Sequence, residues 1–507
     1  MESAAAARYV GAPLHASESA LWSRSIRANR KAARKELGLN PASDLVNRLW
    51  RLCTLLRKDG ISYQQYVTEL SYLLFLKMVH ELGQDDTLPE SATWRALTEA
   101  AAPEKLRRYE ELLTTLGGPK ADPNVRSIFS GAFTQIRDSD NLTKLIESID
   151  HIGWFSQSGD SFGDLYEGIL ERNAEETKRG AGQYFTPRVL VEVVVDLLRP
   201  STGEVVQDPA AGTGGFLIAA DRYSRQGTGR CRITGMENVP GTHRLLLMNL
   251  FLHGIEGADV RLGDTLGDDG RALPAADLIL TNPPFGPAGG RPSRTDLDIT
   301  GTVSSFALPF VEHCARALKP GGRAAIVVPD SVLSEEGRGK ALRTHLLDRF
   351  DVHTILRLPS GIFYAQSVKT NVLFLNRRED GAGTRHVWFY DLRTDMPAFS
   401  KSIPLSASHF DQFALFYGGE ADGSDRPNGK GPADPRARRY DRQEIRDIDD
   451  NLDLTWLRED EGADGPSEPE ELIATVQGYL SQAMDEVRAL AEELDRSRAD
   501  DRTADLV

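Results

Sequence analysis

The chain has 507 residues and a formal net charge of −15, from 60 lysines and arginines against 75 aspartates and glutamates. That balance argues against a protein that grips nucleic acid by itself through many phosphate contacts. Hydrophobic residues make up 40% and charged residues 27%, as in an ordinary globular protein of roughly two to four domains. The three cysteines, Cys53, Cys231 and Cys314, lie far apart with no CxxC or His cluster, and no run of about 18 apolar residues occurs. A disulfide framework, a metal site, secretion and a membrane span are therefore not expected, and a cytoplasmic location is.

Residues 1–43 read as an N-terminal extension. In it Arg24, Arg27, Arg30, Lys31, Arg34 and Lys35 follow a helical spacing, as a solvated face or alternatively a phosphate-contacting arm. Residues 44–155 read as a helical domain. Leu45, Leu49, Leu52 and Leu56 recur at helical intervals behind a cap at Ser43 or Asp44, and further helices are expected over 66–80, 97–116 and 141–149.

From Phe162 onward strands and helices alternate, so 156–400 is expected to be an α/β domain with a doubly wound, Rossmann-like sheet. The strands fall at 204–207, 232–237, 260–263, 277–281, 323–328, 353–358 and 370–375. Helices are expected at 162–172 and 189–198, the second with Thr186 as N-cap and Pro187 in its first turn. Residues 401–465 read as a C-terminal extension, with a Gly/Asp/Pro-rich loop or mobile insertion at 418–431 and an acidic linker from 455. In 466–507, Ile473, Val476, Leu480, Met484, Val487, Leu490 and Leu494 form the stripe of a long amphipathic helix. It covers either its own helical domain or another subunit.

Three motifs carry the chemistry. Asp277-Leu278-Ile279-Leu280-Thr281-Asn282-Pro283-Pro284-Phe285 is a buried strand that must turn off the sheet at its prolines. The turn offers the Asn282 amide, the Pro283 carbonyl and the Phe285 ring, which suit a planar, amino-bearing ring. The second motif, Asp208-Pro209-Ala210-Ala211-Gly212-Thr213-Gly214-Gly215-Phe216, follows the first strand. Its glycines allow close backbone approach, and it lacks the GK[ST] of a triphosphate loop. The third is Gly182-Gln183-Tyr184-Phe185-Thr186-Pro187, which leads into a helix N-terminus suited to a carboxylate.

Glu237 and Asp264 stand at successive strand ends beyond the glycine loop, placed for ribose hydroxyls and an adenine amine. With Asp208 for an ammonium and the helix start at Thr186 for a carboxylate, the fitting cofactor is S-adenosyl-L-methionine rather than NAD or ATP. The candidate cofactor residues are thus Gln183, Tyr184, Phe185, Thr186, Pro187, Asp208, Ala210, Gly212, Thr213, Gly214, Gly215, Glu237, Asp264 and Asn282. The catalytic candidates are Asn282, Pro283, Pro284 and Phe285.

GQYFTP, DPAAGTGGF, Glu237, Asp264 and NPPF, in that order, resemble the amino-group DNA methyltransferases. More closely, the chain resembles the modification subunits of type I restriction–modification systems. The stretches 52–60 and 66–79, Tyr166-Glu167, Leu358-Pro359-Ser360-Gly361-Ile362-Phe363, Thr370-Asn371-Val372-Leu373-Phe374 and Asn451-Leu452-Asp453-Leu454-Thr455-Trp456 carry that likeness, which spans about 44–495. The resemblance implies N6 methylation of an adenine flipped from double-stranded DNA, the amine held by the Asn282 oxygen and the Pro283 carbonyl and the base stacked on Phe285. Arg291 and Arg294 would lie near phosphates. It also implies a DNA-specificity subunit as partner, with a second copy of the chain and a restriction (nuclease/translocase) subunit as further candidates. Methylation of RNA guanine amines or protein glutamine amides, a DNA methyltransferase of another phage-defence system, and a non-catalytic assembly subunit are the alternatives.

Overall fold

The computed structural model describes residues 41–52, 61, 63–152, 159–176, 186–363, 368–397, 399, 403–426 and 434–457. The expectations for residues 1–40, for Gln183, Tyr184 and Phe185, and for the C-terminal helix and its apolar stripe lie outside these.

The amino-terminal part is helical: α1 (Pro41–Arg51), α2 (Tyr63–Glu81), α3 (Trp94–Thr98), α4 (Lys105–Leu116), α5 (Pro123–Phe129) and α6 (Ser139–Asp150). Proline is tolerated in a first helical turn, and α1 begins at Pro41, so Ser43 and Asp44 sit inside that turn rather than capping it. Leu70, Leu73, Leu74, Phe75, Leu76 and Met78 of α2 are all fully buried, as befits a helix apolar on every side with its neighbours wrapped round it. Asp122 and Asp138 start α5 and α6 by accepting backbone N–H groups of the first turns. The next helix, α7 (Gly159–Glu176), brings Leu165, Tyr166 and Ile169 into the same core.

After α8 (Arg188–Leu198) the chain builds its sheet, with helices between most strands. In order come β1 (Val205–Asp208), α9 (Gly215–Ser224), β2 (Arg232–Glu237), α10 (Pro240–Leu252), β3 (Asp259–Leu262), β4 (Ala276–Thr281), α11 (Ala307–Ala317) and β5 (Leu318–Pro329). Then follow α12 (Asp330–Ser334), α13 (Arg338–Arg349), β6 (Asp351–Arg357), β7 (Thr370–Asn376), β8 (His386–Asp391), α14 (Asp411–Tyr417), β9 (Ala437–Asp441) and α15 (Arg442–Asp447). Among the described residues the strands form one nine-stranded sheet in the order β3-β2-β1-β4-β5-β7-β6-β8-β9. The first five are mutually parallel, and β7 is inserted antiparallel between β5 and β6.

Strand alternation sorts the core into two faces. Leu278, Leu280, Ala325 and Val327 pack with α8, α9 and α14, whereas Ile279, Ala324, Ile326 and Val328 pack with α11 and α13. Burial on both faces explains why β4 and β5 read as continuous apolar runs. Met248 and Leu252 of α10 belong to the core of the helical part, so this helix joins the two regions.

Two strands were not foreseen. β8 pairs with β6, and β9, from within 401–465, closes the edge on β8. Nor is all of 418–431 loose. Arg426 is buried, donates to Thr354 Oγ1 at 2.6 Å and lies 4.9 Å from the Phe416 ring centre, pinning 418–426 against the sheet.

Candidate active site at the carboxyl edge of the sheet

Parallel β1–β4 deliver Asp208, Glu237, Asp264 and Asn282 to one edge of the sheet. The glycine loop folds back over that edge. Ala211 N donates to Met236 O at 2.9 Å, Gly212 and Gly214 take positive φ (54° and 91°), and α9 starts at Gly215. Asn249 of α10, itself buried, donates from Nδ2 to Thr213 O at 2.9 Å and supports the loop from behind. Side chains are poor at both turns because L-residues rarely adopt that backbone region.

The acids have distinct duties. Glu237 accepts Gly212 N through Oε2 at 2.9 Å and Val239 N through Oε1 at 2.8 Å. Burial pushes its carboxyl upward against the lowering pull of these bonds. Asp208 is only 2% exposed, so it lies beneath the loop. It accepts Thr281 Oγ1 at 2.7 Å and Ala210 N at 3.0 Å through Oδ1. Burial, with a smaller contribution from Glu237, raises it to about 7. Asp264 is exposed and accepts Leu266 N at 2.9 Å, turning the chain sharply after β3.

Beyond β4 the chain leaves the sheet at the two prolines, and Asn282 is half-buried. Its Nδ2 donates to Thr186 Oγ1 at 2.9 Å. Thr186 does not cap α8. The carbonyl of Pro187 accepts the first helical bonds, from Leu190 N and Val191 N, so Pro187 is the cap residue and Thr186 is released to face Asn282. Phe285 is 9% exposed and belongs to the same apolar cluster as Leu190, Leu358 and Phe363.

Arg294 is not a surface phosphate contact. It is 5% exposed, forms a two-pronged pair with Asp296 (2.6 and 3.0 Å) and donates to Thr265 O at 3.1 Å and His313 Nδ1 at 2.7 Å. Burial and this guanidinium push His313 down to about 3, which keeps its Nδ1 an acceptor. Arg291 is exposed.

Sequence reasoning missed the apolar rim of the site. Val239 and Leu262, at the ends of β2 and β3, are 37% and 50% exposed, and Leu262 pairs in register with Glu237. Apolar residues flanking strand-end acids were the available signal. It also missed a cluster away from this edge, where Asp164, Glu167 and His253 bring ligand-type atoms within 4.8 Å of one another. Arg188 meets Asp164 at 2.7 Å and Glu167 at 3.2 Å, and Arg222 meets Asp164 at 2.9 Å. Two guanidiniums already balance the two carboxylates, and the network ties α7 to α8 and α9.

The family model described as N-6 DNA Methylase matches residues 157–461, and that of the HsdM N-terminal domain matches 45–196. The chain belongs to the N-6 DNA methylase family. It is 44% identical to the type I restriction enzyme StySPI methylase subunit of Salmonella potsdam, over 89% of this chain and 95% of that one. It is 43% identical to the EcoKI methylase subunit of Escherichia coli K12, over 90% and 96%. A solved chain reported under "complex assembly and conformational transition of the type I R-M system" superposes with TM-score 0.68 at 27% identity, covering 90% of this chain and 99% of that one. The chain thus falls among the methylase subunits of type I restriction enzymes, in a family of adenine-specific DNA methyltransferases. Among the described residues no helix is long and apolar enough to cross a membrane.

Proposed function

We propose that this N-6 DNA methylase family member transfers a methyl group from S-adenosyl-L-methionine to N6 of an adenine flipped out of double-stranded DNA, as the modification subunit of a type I complex. The observation that carries the reading is the placement of Asn282 at the end of β4, beside the glycine loop of β1 and held by Thr186. The donor set fits the cofactor. The N-terminus of α8 suits a carboxylate, Asp208 supplies negative charge beneath the loop for an ammonium, and Glu237 suits ribose hydroxyls. Val239 and Leu262 give an adenine ring an apolar wall, with Asp264 at its amine. Gln183, Tyr184 and Phe185 complete the motif by sequence. When bound, the cofactor supplies the sulfonium methyl.

Everything else falls to side chains and backbone of this chain. The Asn282 oxygen and the Pro283 carbonyl accept the two amine hydrogens, which draws the nitrogen lone pair out of ring conjugation. Pro284 fixes the turn, and Phe285 holds the base by stacking once part of its cover has moved aside. Orientation and electrostatic stabilisation do the work, so no strong base is needed beforehand, and the amine's proton leaves to solvent after the methyl arrives. The acidic balance agrees with sequence reading by a separate specificity subunit. A second copy and a restriction subunit complete the assembly.

The test is to co-express the chain with its specificity subunit and assay duplex DNA by nucleoside mass spectrometry. N6-methyladenine is expected, and Asn282→Ala should abolish it while cofactor binding persists. Loss of both, or methylguanosine as product, refutes the assignment.

A further inference from the structure

We infer that Thr186 is a positioning residue that selects which end of the Asn282 amide meets the target amine. The inference rests on the function proposed above. The observation is the 2.9 Å bond from Asn282 Nδ2 to Thr186 Oγ1, between residues 96 positions apart, one at the end of β4 and the other just before α8.

An asparagine amide has two nearly isosteric ends and only one is useful here. Its oxygen accepts a hydrogen from an amine, whereas its NH2 would confront that amine donor to donor. A threonine hydroxyl can serve either end, because it both donates and accepts. What decides is the fate of the hydroxyl's own proton. Thr186 stands at the entry to α8, where a carboxylate is drawn to free backbone N–H groups, and an anion there would accept a hydrogen bond from the hydroxyl. With its one donor so engaged, the hydroxyl has only lone pairs left to offer Asn282, so it accepts from Nδ2 and the amide oxygen turns to the opposite side. A bound carboxylate would thereby hold the catalytic amide in the orientation that the structure already shows.

A second contact runs alongside the first. Thr281, the residue preceding Asn282, donates to Asp208 Oδ1 at 2.7 Å, so the same turn is tied to the region proposed for the ammonium. The catalytic turn is thus hydrogen-bonded to both ends of the proposed amino-acid subsite.

The test compares Thr186→Ser, Thr186→Ala and Thr186→Val in the full complex with its specificity subunit. Cofactor affinity is measured by calorimetry, and kcat at saturating cofactor by methyl transfer. Valine and alanine are expected to lower kcat about tenfold or more while weakening cofactor binding only a few-fold. Serine, which keeps the hydroxyl, should stay within about threefold of wild type. The Ser–Ala pair differs only in the hydroxyl and decides the matter if valine proves poorly folded. An unchanged kcat in alanine or valine, with the effect confined to affinity, would make Thr186 a cofactor ligand alone and overturn the inference. So would a serine variant as slow as alanine. Wild type run alongside separates the two failures: a wild type that makes no N6-methyladenine refutes the function, and an alanine variant as fast as an active wild type refutes the positioning role.

Discussion

Thr281 Oγ1 donates to Asp208 Oδ1 at 2.7 Å, joining the end of β4 to the end of β1 through a carboxylate that is 98% removed from solvent. Burial lifts Asp208 to about 7, so the folded chain holds this proton more tightly than the unfolded one. Stability from this group is therefore present in full below about pH 4 and is lost as pH rises through about 7, at a cost of about 4 kcal/mol. Asp208→Asn should remove that slope. Melting temperatures at pH 5.5 and 8.0 should differ less in the variant than in wild type, and equal differences would count against the assignment.

The same titration predicts how cofactor binding depends on pH. An ammonium favours ionised Asp208, so affinity should rise as pH increases toward about 7 and then level off. Binding at pH 6 should release close to one proton, and distinctly less at pH 7.5. Calorimetry in buffers of different ionisation enthalpy measures this directly. No proton release at pH 6 would mean that the ammonium lies elsewhere.

Glu237 holds two backbone N–H groups at once, those of Gly212 and Val239. A glutamine there keeps one acceptor oxygen and turns an NH2 toward the other donor. Glu237→Gln should therefore destabilise the chain by about 1–3 kcal/mol. Because the same carboxylate is proposed to meet the ribose, cofactor affinity should fall at least about tenfold. Thermal melting and calorimetry on one preparation check both, and a variant with normal affinity would remove Glu237 from the site.

The strands and motifs of this edge were legible because local rules write them. Two prolines end β4, glycines punctuate β1, and the apolar runs of β4 and β5 have strand length. β9 was not legible because Ala437-Arg438-Arg439-Tyr440-Asp441 is an edge strand guarded by charge, with scarcely an apolar residue to mark it. The pairings Thr186–Asn282 and Asp330–Arg393 join residues 96 and 63 positions apart, and no local pattern encodes such contacts. Arg294 misled for a related reason. Its Gly-rich surroundings suggest an exposed loop, yet its guanidinium is satisfied internally by Asp296, Thr265 and His313.

The cluster of Asp164, Glu167 and His253 gives a prediction about metals. Burial raises the Asp164 carboxyl, but Arg188 and Arg222 outweigh it and hold it below its usual range. A cation would have to displace those guanidiniums. Chelator should therefore leave the melting temperature within about 1 °C and the methylation rate unchanged. Gly163→Ala should instead be costly, because its Cβ would come within 2.4 Å of His253 Nε2 and force α7 away from α10. About 1–3 kcal/mol is expected, read by denaturant unfolding.

The strongest stability effect is expected at Arg393. Its side chain is 3% exposed and meets both oxygens of Asp330, Oδ1 at 2.6 Å and Oδ2 at 3.1 Å. It also donates to Thr370 O and Asn371 Oδ1, each at 3.2 Å. Burial alone would raise Asp330, yet Arg393 and Asn371 bring it below the usual carboxylate range. Its contribution in wild type is thus present above pH 4 and lost as pH falls. Arg393→Met strands that carboxylate, at a cost of about 3–5 kcal/mol. It should also invert the local pH slope, since the unpaired acid then prefers to stay protonated. Adding Asp330→Asn to the methionine variant removes the stranded charge and should recover part of the loss. A double variant no more stable than Arg393→Met alone would show that Arg393 acts through Thr370 and Asn371 rather than through its partner acid.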